Sequence, residues 1–344
     1  MTKKNAVVTI IFILIVQISY SQVVRYSNEY FNIGVGARNI AMANSTTADI
    51  SDFSAGYYNP AGLNDLNNKY QIGLLHSQYF GGIANYDYAG FAYKIDDSTG
   101  VSASLIRMGI DNIQNTLFLY DDNGNIDYDR IELFSVADYG FLLSYGRKSK
   151  IKGLSYGASA KIIYRSQGEF AKAYGFGIDL GLQYILNKWH FGAKLSNATT
   201  SFTAWFYNID DQMTQVFLET GNDLPKNSLE LTMPVLSAGV SRYWQFEKNI
   251  GLRSEFDLIF TFDGKRNAIV SFNPVSFYPQ LGLEFDYAKK IYLRAGVNNF
   301  QLLPDYRSVS DTSSDYLNQK SFDFTPNVGL GVVFKRFSLD YALT

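Results

Sequence analysis

Hydrophobic and polar residues alternate along most of this chain with a period of two. The clearest run is 173–184, AYGFGIDLGLQY. Tyr174, Phe176, Ile178, Leu180, Leu182 and Tyr184 share one face, and Ala173, Gly175, Gly177, Asp179, Gly181 and Gln183 share the other. Successive Cβ atoms of a strand point to opposite sides of a sheet, so the pattern predicts a β-strand. On the apolar face, aromatics stand at the ends and aliphatics between them. A bilayer sorts residues this way, with rings at the interfaces and aliphatic side chains against lipid tails. The small or polar opposite face suits a wet or plugged lumen. The expectation is an all-β fold, a transmembrane antiparallel β-barrel.

The same period predicts strands at 70–77, 86–95, 101–110, 133–146, 154–165, 189–196, 234–244, 250–262, 275–287, 291–298, 326–334 and 337–344. The pattern slips near Arg107, which predicts a bulge or an early strand end there. Connections largely alternate between short ones, such as 96–100, 148–153 and 185–188, and long ones at 112–132, 199–233, 263–274 and 299–325. Outer-membrane barrels keep short turns in the periplasm and long loops outside, so the first strand runs outward. A thirteenth strand then ends at the cell surface. Single-chain bacterial barrels have even strand numbers, so parity predicts about 14 strands, with the closing one missing after Thr344.

The region before the strands does not alternate. Lys3 and Lys4, an apolar run over 6–16 and Ser19-Tyr20-Ser21 read as an export signal over 1–21, cleaved near Ser21. Residues 22–68 are too long and too apolar to hang free and are expected inside the barrel as a plug, with 69–344 forming the barrel. Such a chain belongs in the cell outer membrane, in contact with its lipid.

Composition narrows the function. A formal net charge of −2 gives no argument for nucleic acid, and the absence of cysteine excludes a disulfide framework. Twenty-six Tyr, 26 Phe and 28 Gly suit strands with interfacial girdles. A mean hydropathy of −0.10 excludes a polytopic helical protein.

Candidate chemistry is sparse. Lys161, Arg165, Asp179, Lys194, Arg253, Glu255, Asp257, Glu284, Asp286, Arg294 and Asp340 fall on the lumen face with mixed signs. They read either as a polar permeation path or, better, as paired charges that fasten a plug. The run 121–127 has calcium-loop composition, but Ile126 stands where such a loop needs glycine, so no metal is expected. His76 and His190 are isolated, no nucleophile motif accompanies them, and neither an enzyme nor a cofactor is expected. The loop 199–233 carries Phe202, Trp205, Phe206, Tyr207 and Phe217, a candidate extracellular docking surface or a lid packed over the barrel.

The segments Gly34-Val35-Gly36-Ala37-Arg38, Ala41-Met42-Ala43 and Tyr57-Tyr58-Asn59-Pro60-Ala61-Gly62-Leu63 resemble the N-terminus of the PorV/PorQ family of Bacteroidota outer-membrane barrels. Asn59-Pro60-Ala61 is similar to a signature of the related FadL long-chain fatty-acid transporters, and 337–342 resembles the family's penultimate strand. The resemblance implies a fourteen-stranded FadL-like barrel. Asn59, Pro60, Ala61 and Gly62 read either as a rigid turn that holds the N-terminal segment as a plug or hatch, or as an ordinary helix start inside the barrel. The resemblance also implies a non-enzymatic part in type IX protein secretion, with the translocon, cargo C-terminal signal domains and the surface attachment complex as partners. The alternative is a FadL-like transporter of a hydrophobic small molecule through a lateral opening.

Overall fold

Thirteen of the strands form one antiparallel path, each hydrogen-bonded to the next, in a computed structural model that describes residues 27–121, 123–304 and 320–344. The path runs through β1 (Tyr70–Tyr79), β2 (Ala84–Lys94), β3 (Thr99–Asn115), β4 (Glu132–Lys148), β5 (Leu154–Gln167), β6 (Ala171–Leu186) and β7 (Trp189–Ser196). It continues through β10 (Val235–Glu247), β11 (Ile250–Thr261), β13 (Val275–Tyr287), β14 (Ile291–Pro304), β15 (Lys320–Phe334) and β16 (Phe337–Leu343). Three short strands lie off it: β8 (Ser201–Tyr207), β9 (Ser228–Thr232) and β12 (Val270–Phe272). The fold is a FadL-like all-β transmembrane barrel. Among the described residues β1 and β16 are not hydrogen-bonded to each other.

Register explains the outward face. Tyr139, Tyr164 and Tyr174 stand level on β4, β5 and β6. Their rings lie 5.9 and 5.3 Å apart, and Phe206 of β8 continues the row at 6.3 Å. At the other end Trp189 and Trp244 meet edge to face at 6.4 Å. Tyr174 and Tyr184 are ten residues apart on β6. At about 3.3 Å per residue and a tilt near 40°, that is roughly 25 Å of height, the thickness of an outer-membrane apolar band. Between these rows the exposed side chains are Phe176, Leu180, Leu182, Ile162, Phe141 and Leu143, and apolar exposure of this kind is stable only against lipid.

Several boundaries differ from expectation. β3 does not end near Arg107 but continues to Asn115, with its irregularity between Ile110 and Ile113, where Asn112 has a φ of 60°. The segment 199–233 is not all loop. β8 and β9 extend the wall, and a helix, Asp211–Glu219, caps the connection, its first turn closed by Asp210 Oδ1 accepting from Met213 N at 2.7 Å. The expected signal at 1–21 lies outside the described residues.

Candidate functional site

Inside the wall, residues 27–68 fold into four short helical turns, with Val35, Ala41, Met42, Ala55, Ala61 and Leu63 fully buried. The seat is built from glycine. Gly100, Gly146, Gly157 and Gly181 stand in one register row across β3 to β6. A Cβ at Gly146 would lie 2.2 Å from Pro60 O, one at Gly157 2.5 Å from Pro60 C, and one at Gly181 2.2 Å from Asn59 Oδ1. Only a residue without a side chain lets the 3₁₀ turn Pro60–Asp65 rest its backbone on the sheet.

Asn59 fixes that turn. Its Nδ2 donates to Thr47 O at 2.8 Å within the plug, to Leu182 O of β6 at 3.0 Å and to Ala193 O of β7 at 3.4 Å. Its Oδ1 accepts from Ala61 N at 3.2 Å, capping the turn that Pro60 opens. Ala61 and Gly62 lie fully inside, and a Cβ on Gly62 would lie 1.9 Å from Ile50 O.

Charged side chains hold the rest. Glu284 sits among three guanidinium groups: Arg38 of the plug at 2.8 Å, Arg294 at 2.7 Å and Arg253 at 3.5 Å. Arg294 also meets Asp340 at 2.6 Å, and Arg253 pairs with Asp49 of the plug. Burial acts to raise the Asp49 carboxyl pKa, but Arg253 and His190, whose Nδ1 lies 3.5 Å away, outweigh it and hold the group below the usual carboxylate range. Asp286 accepts from Tyr243 Oη at 2.8 Å. Glu255 and Asp257 face backbone instead. Asp257 Oδ2 accepts from Thr46 N and Thr47 N at 3.1 and 3.0 Å, and Glu255 Oε1 from Ala48 N and Asp49 N at 2.6 and 3.3 Å. Four successive plug amides are thus held by two carboxylates of β11.

Across the barrel, Asp179 lies between Lys161 at 2.7 Å and Lys194 at 3.2 Å. Arg165 pairs with Asp138 at 2.7 Å and Glu230 at 3.3 Å. Here the wall is interrupted. β6 pairs with β7 up to Leu180↔Leu195 and with β8 from Phe176↔Phe202, so residues 197–200 have no strand partner. Opposite them, Met233 and Pro234 break the line from β9 to β10. Ala198 N donates to Ile178 O at 2.7 Å, four residues below the Tyr174 ring row, so the interruption faces the hydrocarbon and not the headgroups. Asn197 staples it shut. Its N–H donates to Asp179 Oδ1 at 2.8 Å, its Oδ1 accepts from Lys161 and Ser201, and its Nδ2 donates to Met233 O at 3.3 Å.

A cavity of about 50 Å³ lies between this staple and the plug. Phe31, Tyr57, Leu142, Ile163, Met233 and Val235 supply its apolar lining, Lys161, Asp179 and Lys194 a charged floor, and Glu29, Asp263 and Arg266 further charged groups.

The aromatic residues expected on a docking loop divide between two faces. Phe202 and Phe206 point outward from β8 and are exposed. Trp205 turns inward, buried, with the Arg165 guanidinium 4.9 Å from its ring and Tyr207 stacked at 6.2 Å. Phe217 is half-buried on the helix. The glycine row and the Asn197 staple were not foreseen; the row could have been found by aligning the glycines of successive predicted strands.

No family model matches the chain, and no curated protein matches it. Among solved structures it is similar to the CymD monoaromatic hydrocarbon channel, with 13% identity, a TM-score of 0.53 and coverage of 90% of this chain and 93% of that one. The Ralstonia pickettii toluene transporter TbuX gives 14%, 0.53, 90% and 92%, and the P. putida toluene transporter TodX 13%, 0.52, 90% and 91%. These neighbours are FadL-type outer-membrane channels and not enzymes. The chain therefore has the fold of the FadL-type channels, plugged from within by its own N-terminal segment.

Proposed function

We propose that this chain is an outer-membrane channel that passes a hydrophobic small molecule between the cell surface and the bilayer through the wall interruption at 197–200. The observation that carries this reading is the cavity, which touches the plug on one side and Asn197, Ser201 and Met233 of the interruption on the other. Its volume is about a third of the ~150 Å³ that holds benzene in an engineered protein cavity. A guest therefore enters as the Asn197 staple parts. The likeness to hydrocarbon channels supports the same reading. The test is uptake of labelled toluene by cells expressing the chain. Met233→Trp, which fills the cavity beside the staple, should cut uptake at least tenfold; uptake no faster than in cells lacking the chain refutes the proposal.

A second reading, a PorV- or PorQ-type part in type IX secretion and attachment, is supported by the N-terminal resemblance and by the exposed Phe206, Leu218 and Leu229 of the β8–β9 extension. A gentle-detergent pull-down from native outer membranes separates the two. A giant translocon barrel, or cargo sharing one C-terminal domain, favours secretion; a lone barrel carrying lipid or hydrocarbon favours the channel.

A further inference from the structure

The two β11 carboxylates that grip the plug are used on one side only. Glu255 Oε1 and Asp257 Oδ2 accept the plug amides, while Glu255 Oε2 and Asp257 Oδ1 have no hydrogen-bond partner. Both residues are 99–100% buried, and among the described residues no cationic side chain comes within ion-pair distance of either. The two carboxylates stand two residues apart on one face of β11 and hold adjacent plug amides. Like charges so close in a dry site are costly unless something neutralises them.

The surroundings indicate what does so. Ser241 stands opposite Glu255 in register and Gly239 opposite Asp257. A Cβ on Gly239 would lie 2.1 Å from Asp257 Oδ1, so the free oxygen leans toward β10, on the face that Ser241 shares. Ser241 Oγ is itself fully buried and unpartnered. The same holds for Thr46 Oγ1, whose own N–H is bound to Asp257. Four partnerless side-chain oxygens lie on neighbouring positions where two negative charges need balancing, and the nearby Arg253 guanidinium is already engaged with Asp49 and Glu284. That is a donor set for a hard cation, and charge neutrality asks for a divalent one.

We propose that Glu255, Asp257, Ser241 and Thr46 bind a divalent cation of the calcium class at the seam between the plug and β10–β11. Calcium fits better than magnesium, which keeps its water and demands strict octahedral geometry. Each carboxylate then works on both sides, one oxygen on the plug amides and the other on the ion. Loss of the ion leaves two like charges facing the plug and weakens the latch. The inference does not depend on what crosses the wall.

The test uses the full chain in detergent, freed of metal and titrated with calcium chloride at pH 7.5 by calorimetry. One ion should bind per chain. Ser241→Ala, which leaves both carboxylates and the latch in place, should weaken binding at least tenfold, and Glu255→Gln with Asp257→Asn should abolish it. Chelation should also speed thiol labelling at Ala55→Cys, a buried plug position in a chain without natural cysteine. The proposal is overturned if the unmodified chain binds no calcium, or if Ser241→Ala and the double variant bind as tightly as it does. It is also overturned if the metal-free chain holds its plug as firmly as the calcium-loaded one, because a proton shared by the carboxyls then suffices.

Discussion

Replacing Arg38 should loosen the plug without unfolding the barrel. Arg38 makes two charge-assisted hydrogen bonds to Glu284, Nε to Oε2 at 2.8 Å and Nη2 to Oε1 at 3.2 Å. Glu284 also holds Arg253 and Arg294, both on the wall. Arg38→Gln therefore does not strand a buried charge, the situation that costs about 3–5 kcal/mol. It removes charged hydrogen bonds that cross from plug to wall, worth about 2–3 kcal/mol together. At about 1.4 kcal/mol per tenfold, the open-plug population should rise roughly 30- to 150-fold. In the Ala55→Cys background the labelling rate by a small thiol reagent reads that population directly, and the heat-modifiable gel shift reports whether the barrel persists. A labelling rate within threefold of the parent would refute the idea that this ion pair holds the plug. So would loss of the barrel along with the plug, because it would make the two one cooperative unit.

Other perturbations probe the remaining contacts. Gly157→Ala places a Cβ against Pro60 C and Ala61 N, both backbone and unable to swing aside, so it should unseat the turn at about 1–3 kcal/mol and also speed labelling at Ala55→Cys. Asn197→Ala loses the bonds to Lys161, Ser201 and Met233 but leaves Lys161 on Asp179; it should lower the thermal midpoint in detergent by the equivalent of about 1–3 kcal/mol and quicken toluene uptake. Asp49 has a carboxyl pKa depressed below its ordinary 3.8, so its contribution is complete above that value and fades as pH falls beneath it. The Asp49 share of hydrogen-exchange protection over 46–58, read as the difference between the parent and Asp49→Asn at each pH, should thus be constant above about pH 4 and shrink below it.

The membrane wall was legible because lipid acts on every outward residue in the same way. All thirteen path strands overlap segments marked by period two, and the ring row Tyr139, Tyr164, Tyr174 falls where aromatic ends were expected. The inward face was less legible, because what decides it is the plug, which has no period. Gly181 and Gly177 look alike in the alternation, yet Gly181 lies under Asn59 and Pro60, whereas Gly177 lies against Ser201 and Lys161 beside the interruption. The interruption itself was hidden for a related reason. Residues 197–200 look like the start of a loop, and only the resumption of pairing at Phe202 shows that the wall continues past them. Charge sign was misleading too: the lumen list looked paired, but the pairing concentrates on Glu284, Asp179 and Asp49, and leaves Glu255 and Asp257 to backbone amides. A carboxylate held by two backbone amides carries no mark in a single sequence, since the amides belong to any residue. What the barrel does with its plug therefore depends on its least legible contacts: glycine against backbone, carboxylate against amide, and one asparagine across a broken seam.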